Sequence, residues 1–326
     1  MTRLSKGLSS ASPLPEAHPK LAASSARGAT VRAEALITSR FTARFIDVTG
    51  NTRALANLAG MRRARQRGRG VEFDEVRAYA AGDDVRAIDW RVTARSGTPH
   101  TKLFHEDREQ PILVAIDQRP AMKFGSQRCF KSVMAAHIGC LALWSGLQAG
   151  ERVGGAVLGS GDISETRPRR SQHAVLNVIR DLVREGTPRS DNLAPHPSIA
   201  NLVEQLERIA RPGTRLFIIS DFHDLLDADH LAPLRRLTRK TQIVAISVTD
   251  ALEAELPRAG YYAVTDGDNH SQLDTGIAGI RESYAADYQS HQALISRRLR
   301  ELRIPLLTVR TDDDPLRRLL TVFPAR

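Results

Sequence analysis

Ile112-Leu113-Val114-Ala115-Ile116-Asp117 is a run of five apolar residues, three of them β-branched, closed by one carboxylate. An apolar run of strand length without polar alternation suits a strand covered on both faces, as strands of parallel sheets are. Residues 214–219 carry a second apolar run, Leu216 to Ile219, which stops at Ser220-Asp221. Outward from these two runs the chain alternates between strand and helix patterns. Helical periodicity marks residues 126–148, 171–185, 198–210 with Ser198 as cap, 228–239, and a long charged stretch over 277–302. Strand patterns mark residues 151–159, 243–248 and 304–309, and Asp312-Asp313-Asp314 before Pro315 reads as the start of a short last helix. The expectation is an α/β fold, a doubly wound and mostly parallel sheet with helices on both faces.

Sites in such sheets form beyond the carboxyl ends of the strands. Asp117 and Asp221 sit at that edge on two different strands. Two carboxylates so placed could share a hard cation such as Mg²⁺, which prefers oxygen ligands. Alternatively, each caps the turn that follows it.

Before the strands, residues 68–95 read GRGVEFDEVRAYAAGDDVRAIDWRVTAR, the densest mixture of charge, aromatic surface and turn chemistry in the chain. Phe73, Val76 and Tyr79 suit an extended run, Gly82 a turn, and Asp84 the cap of a short helix. Val85, Ile88 and Val92 would form the apolar face of that helix. Arg77, Tyr79, Asp83, Asp84, Arg86, Asp89, Trp90 and Arg95 are its candidate functional residues. They form either a partner-binding surface or an ion network that clamps the N-terminal segment to the sheet-forming domain after it. Further upstream, residues 33–61 are helical with a break at Thr49-Gly50-Asn51, and residues 1–33 have the composition of a disordered basic tail.

At 326 residues with 41% hydrophobic side chains, the chain can bury a sizeable core. The net charge of +10 lies in residues 1–70, where 13 Lys and Arg face 3 acids. Such an arm could meet nucleic acid, but Arg62, Arg63, Arg65, Arg67 and Arg69 have no aromatic residues between them on which bases would stack. No segment has the roughly 20 apolar residues of a membrane span, and no secretory signal is legible. Cys129 and Cys140, eleven positions apart on one expected helix, would be about 16 Å apart and unbridged. A cytoplasmic location is expected. Gly154-Gly155 and Gly159-Ser160-Gly161 lack the lysine of a phosphate loop, and His105-Glu106 lacks the second histidine of a zinc protease. His223 reads as an exposed loop residue and Trp144 as core.

The elements Gly68-x-Gly70-x-Glu72-Phe73, Arg77-x-Tyr79-x-x-Gly82-Asp83-Asp84-x-Arg86-x-Ile88-Asp89-Trp90 and Ala94-Arg95 resemble the signature of the bacterial domain of unknown function family fifty-eight. The resemblance implies a von Willebrand factor A-like domain over residues 110–326, behind an N-terminal segment 34–109. It also implies partnership with an AAA+ ATPase of the MoxR type. A-type domains usually hold a divalent metal through Asp-x-Ser-x-Ser at the first strand end, a Thr from a second loop and an Asp from a third. Here the first motif is Asp117-Gln118-Arg119-Pro120-Ala121, so both hydroxyls are replaced. The second loop would fall near residues 166–170, and the third at Asp221. A guanidinium among the would-be ligands reverses the charge balance, and Arg119 is expected to pair with Asp117 or Asp221. The expectation is therefore a degenerate, mostly unoccupied metal site, with Mg²⁺ the one cofactor still possible, on a non-enzymatic adaptor protein. A metal-dependent phosphoesterase or nuclease using Asp117 and Asp221, and a nucleic-acid-binding accessory, are the alternatives.

Overall fold

A computed structural model describes residues 26–50, 53–58, 76–79, 85, 88, 90–102, 109–186, 196–225, 228–265 and 270–324. In chain order these form α1 (Ala33–Thr38), two 3₁₀ turns (Ser39–Phe41 and Ala43–Phe45), α2 (Arg53–Leu58), β1 (Val76–Ala78), α3 (Trp90–Ser96) and β2 (His100–Lys102). There follow β3 (Ile112–Asp117), α4 (Lys131–Gln148), β4 (Val153–Leu158), β5 (Ile163–Arg169), α5 (Gln172–Gly186), α6 (Ile199–Ile209), β6 (Arg215–Ser220) and α7 (Ala228–Thr238). Last come β7 (Gln242–Thr249), α8 (Ala251–Ala254), the hairpin β8 (Tyr261–Thr265) and β9 (His270–Asp274), α9 (Ala278–Glu301), β10 (Leu306–Arg310) and α10 (Pro315–Leu320).

The central sheet has the order β10-β7-β6-β3-β4-β5. All neighbours are parallel except β5, which runs antiparallel to β4 at one edge. Numbered from the first strand of this sheet, the order is 3-2-1-4-5-6, the doubly wound arrangement in which the chain reverses its direction of travel between β3 and β6. Side chains on a strand alternate between faces. Accordingly Ile112, Val114 and Ile116 pack into one core with α4 and α5, while Leu113 and Ala115 pack into a second with α6, α7 and the C-terminal turns of α9. The two apolar runs that announced the fold are thus the two central strands, each buried on both sides.

Several expectations need correction. The helix anticipated from residue 126 begins at Lys131, and it is not amphipathic, because residues from Lys131 to Gly146 are buried on every side. The sheet covers one flank and residues 26–50 and α10 cover the others. Cys129 lies just ahead of the helix, in an extended bridge with Gly28, and both cysteines are free and buried. The supposed tail is ordered at its C-terminal end, where Ala26 and Val31 are buried and Arg128 Nε donates to the Ala26 carbonyl at 3.1 Å. Residues 1–25 lie outside the described residues. In the signature, α3 begins at Trp90 rather than after Asp84, because Ile88 N closes a turn back to Val85 O. Val85 is 61% exposed, so it is no part of an apolar helix face. The short α8 and the hairpin β8–β9 were not anticipated.

Candidate functional site

The carboxyl edge of β3 and β6 carries the expected carboxylates. Asp117 is the last residue of β3 and is 1% exposed, and Asp221 follows β6 directly. Ser220 Oγ donates to Asp117 Oδ2 at 2.7 Å and accepts from Phe222 N at 3.0 Å. Phe222 takes the left-handed conformation, with φ of 58°. That conformation costs a non-glycine residue roughly 1 kcal/mol or more. Burial of the Phe222 ring in the second core offsets this cost, and the flanking Asp221 and His223 are left at the edge.

Arg119 fills the position where a hydroxyl would be needed for a metal. Its Nε donates to Asp117 Oδ1 at 3.0 Å and its Nη2 to Oδ2 at 2.7 Å, a two-pronged pair. The other side of the same guanidinium binds Asp224, at 2.7 Å from Nη1 and 3.2 Å from Nη2. Asp221 is not its partner. That carboxylate instead accepts from Lys131 Nζ at 2.9 Å, and the same ammonium contacts Glu253 Oε1. Lys131 is the first residue of α4, where a cation opposes the helix dipole and the two carboxylates compensate it.

The electrostatics follow from this geometry. Burial pushes the Asp117 carboxyl up, with Arg119 pulling the other way. Burial would lower the Arg119 guanidinium, but Asp117 and Asp224 outweigh it and hold Arg119 above its ordinary value. Burial would raise Asp221, and Lys131 more than offsets it, holding that carboxyl below the usual range. Lys131 itself is raised, its desolvation being outweighed by Asp221 and Glu253.

The donor set does not fit a divalent cation. Asp117 is engaged by Arg119 and Ser220, Asp221 Oδ2 by Lys131, and Ala121 offers only a methyl group. Thr166, sought in a second loop, lies in mid-strand of β5 opposite Gly155, away from the carboxyl edge. Among the described residues no group of three His, Cys, Asp or Glu is placed to hold a metal.

The signature residues contribute differently. Arg77 lies on β1 opposite Thr101, and Tyr79 N continues the pairing by donating to Pro99 O at 2.8 Å. Trp90 opens α3 and is 69% exposed, and Arg95 is exposed. Asp83, Asp84, Arg86 and Asp89 lie outside the described residues. Trp144 is core, and its Nε1 donates to Leu36 O at 3.0 Å. His223 is exposed but not solitary, since it stacks on His291 of α9 with ring centroids 4.7 Å apart.

Sequence reasoning missed Lys131, Glu253 and the α9 side chains. The signal for Lys131 was a lone cation heading an otherwise apolar helix. For α9 it was the recurrence of Tyr284, Tyr288 and His291 at helical spacing within a segment read only as charged.

Sheet order and the antiparallel edge strand define the class, a doubly wound and mostly parallel α/β protein. The chain belongs to the family described as "Protein of unknown function DUF58", whose profile matches residues 75–294. It is similar to the uncharacterized protein Mb1516 of Mycobacterium bovis and the uncharacterized protein Rv1480 of Mycobacterium tuberculosis. Each is 30% identical over 255 residues, covering 76% of this chain and 77% of the relative. Among solved structures it is similar to the conserved hypothetical protein BatB of Bacteroides thetaiotaomicron, with 14% identity, 59% of this chain and 98% of that one covered, and a TM-score of 0.34. An aerotolerance-related membrane protein of Bacteroides fragilis gives 13% identity, coverage of 65% and 96%, and a TM-score of 0.37. The fold assignment rests on the sheet order rather than on these likenesses. No helix among the described residues is long and apolar enough to cross a membrane.

Proposed function

We propose that this protein is a non-catalytic interaction protein that works without a resident metal, serving as adaptor to an AAA+ ATPase of the MoxR type in assembling or remodelling protein complexes. The observation that carries this reading is the closure of the strand-end site by Arg119 and Lys131. A metal-dependent phosphoesterase needs those carboxylates for its ion, and both are engaged by protein cations. The ATPase partner comes from the resemblance of the signature, and the exposure of Trp90 within it supports a role for that residue in meeting a partner.

The test has two arms. Tagged full-length protein is used to capture partners from native lysate, and an AAA+ ATPase is expected in near-stoichiometric amount, diminished by Trp90→Ala at unchanged melting temperature. Its absence from the captured material overturns the adaptor reading. Calorimetric titration of Mg²⁺ and Mn²⁺ is expected to show no binding tighter than about 1 mM. Micromolar binding that disappears in Asp117→Asn overturns the metal-free reading.

A further inference from the structure

A cleft of about 300 Å³ opens beside the closed site, between the carboxyl ends of β6 and β7 and one face of α9. It lies at the carboxyl edge of the sheet, one strand over from the β3–β6 reversal where doubly wound sheets most often receive ligands, and its size is at the lower end for ligand pockets, suited to a side chain rather than a nucleotide. Tyr284 and Tyr288 line it from successive turns of α9, with the stacked pair of His223 and His291 completing the aromatic wall. Its carboxylates are Asp221, Glu253 and Asp287, and no Lys or Arg lines it among the described residues. Lys131 contacts the first two carboxylates. One ammonium against three carboxylates leaves two negative charges unmatched while the imidazoles are neutral. Asp287 is exposed and has no ion pair among the described residues.

The face of α9 that lines the cleft continues as an exposed apolar stripe. Ile280 lies one turn before Tyr284, with Ile277 at the N-cap and Leu252 of α8, beside Glu253, also exposed. A negatively charged aromatic cleft within an apolar margin is complementary to a cation that is weakly hydrated, planar and flanked by apolar groups. A guanidinium stacks on aromatic faces and forks onto a carboxylate, which an ammonium does less well.

We infer that this cleft receives an arginine side chain that a partner protein presents between apolar residues. The inference rests on the reading of this chain as an interaction protein and adds the site and chemistry of recognition.

The probe is a fluorescein-labelled, terminally blocked Leu-Leu-Arg-Leu-Leu peptide, titrated with the full-length protein and read by anisotropy. A twin carrying citrulline, the neutral isostere, in place of arginine is the control. Saturable binding is expected, weakened about tenfold by citrulline and by Asp287→Asn, the loss of one charge-assisted contact. Tyr284→Ala should weaken both peptides, with melting curves confirming the fold of each variant. Equal affinity for the two peptides, no saturation by about 1 mM, or indifference to both substitutions overturns the inference. Because no ATPase enters this measurement, its failure discards the cleft and leaves the capture experiment standing. Failure of capture alongside arginine-dependent peptide binding discards the ATPase and keeps the cleft.

Discussion

Arg119 holds together two carboxylates that would otherwise repel each other across the edge of the sheet. Arg119→Ala leaves Asp117 buried with only Ser220 and the neighbouring backbone as donors, and uncompensated buried charge is among the costlier single changes. Because Asp224 is partly exposed, the loss should be near the low end for such pairs, about 3 kcal/mol by urea unfolding. Arg119→Lys should recover less than half of it, since a single ammonium cannot reproduce the fork. Asp224 makes a pH-dependent prediction. Burial alone would raise its carboxyl, but Arg119 and the Ile199 amide outweigh burial and hold it below the usual range. The stability it contributes is therefore complete above its unfolded value of about 3.9 and is lost as the pH falls through the lower folded value. Asp224→Asn should be less stable than wild type at neutral pH, with the gap closing below about pH 4, read from urea midpoints across the range. Part of this site was legible: Arg119 stood in the motif two residues from its carboxylate. Lys131 and Asp221 were not visibly connected, since 90 positions separate them and only the crossing of α4 behind β6 brings them together.

The long helix α4 shows what close packing demands of an element. A Cβ at Gly139 would lie 2.3 Å from Ile116 Cδ1, so glycine there sets how near the helix approaches β3. Gly139→Ala should cost about 1–3 kcal/mol through overpacking. Ile116→Val, which removes the offending methyl group, should restore part of that cost in the double variant, a coupling readable from a double-mutant cycle. The same burial governs the thiols. Cys129 is pushed up to about 12, chiefly by desolvation, and Cys140, wholly enclosed, is raised as well. Ellman's reagent at about pH 8 should find neither thiol in the native protein and both in urea. Elements with one dominant pattern were readable in advance: β3 as an unbroken apolar run, β6 from Leu216 to Ile219, α6 from its Ser198 cap. Where the pattern is mixed the sequence said less. The apolar face of α4 could not be told from an all-round one, since the helix owes its full burial to residues 26–50 and 319–323, far away in the chain. The hairpin β8–β9 did leave a signal that went unread, the run Tyr261-Tyr262-Ala263-Val264 followed by Asp266-Gly267, a turn dipeptide.

At the scale of the whole molecule, the N-terminal segment is fastened rather than appended. Arg215 Nη1 donates to the carbonyls of Val48 and Gly50 at 2.5 and 2.8 Å, and its Nη2 to Gln242 Oε1 at 2.8 Å. Burial lowers this guanidinium to about 10, so holding it charged there has a cost that the acceptors offset. Ser145 Oγ donates to Ile46 O and Trp144 Nε1 to Leu36 O, tying the segment to α4 as well. Arg215→Met should lower stability by about 2–3 kcal/mol, leaving buried carbonyls without a donor. Trp144→Phe, which loses a single donor, should cost about 1–2 kcal/mol. Both values are measurable by thermal or urea unfolding.

The far end of the chain meets the same helix. Leu319, Val322 and Phe323 are buried against the α4 core, and Asp47 N donates to Phe323 O at 3.1 Å. During synthesis α4 therefore leaves the ribosome with one flank that nothing yet made can cover. At about 5–20 residues per second, the stretch from Gln148 to Phe323 takes roughly 10 to 35 seconds to complete. For that interval one flank of α4 is uncovered, and it is closed only when residues 319–323 arrive. The final strand and helix thus act as the fastening of the fold, and a chain interrupted shortly before its end would present its central helix to chaperones and proteases.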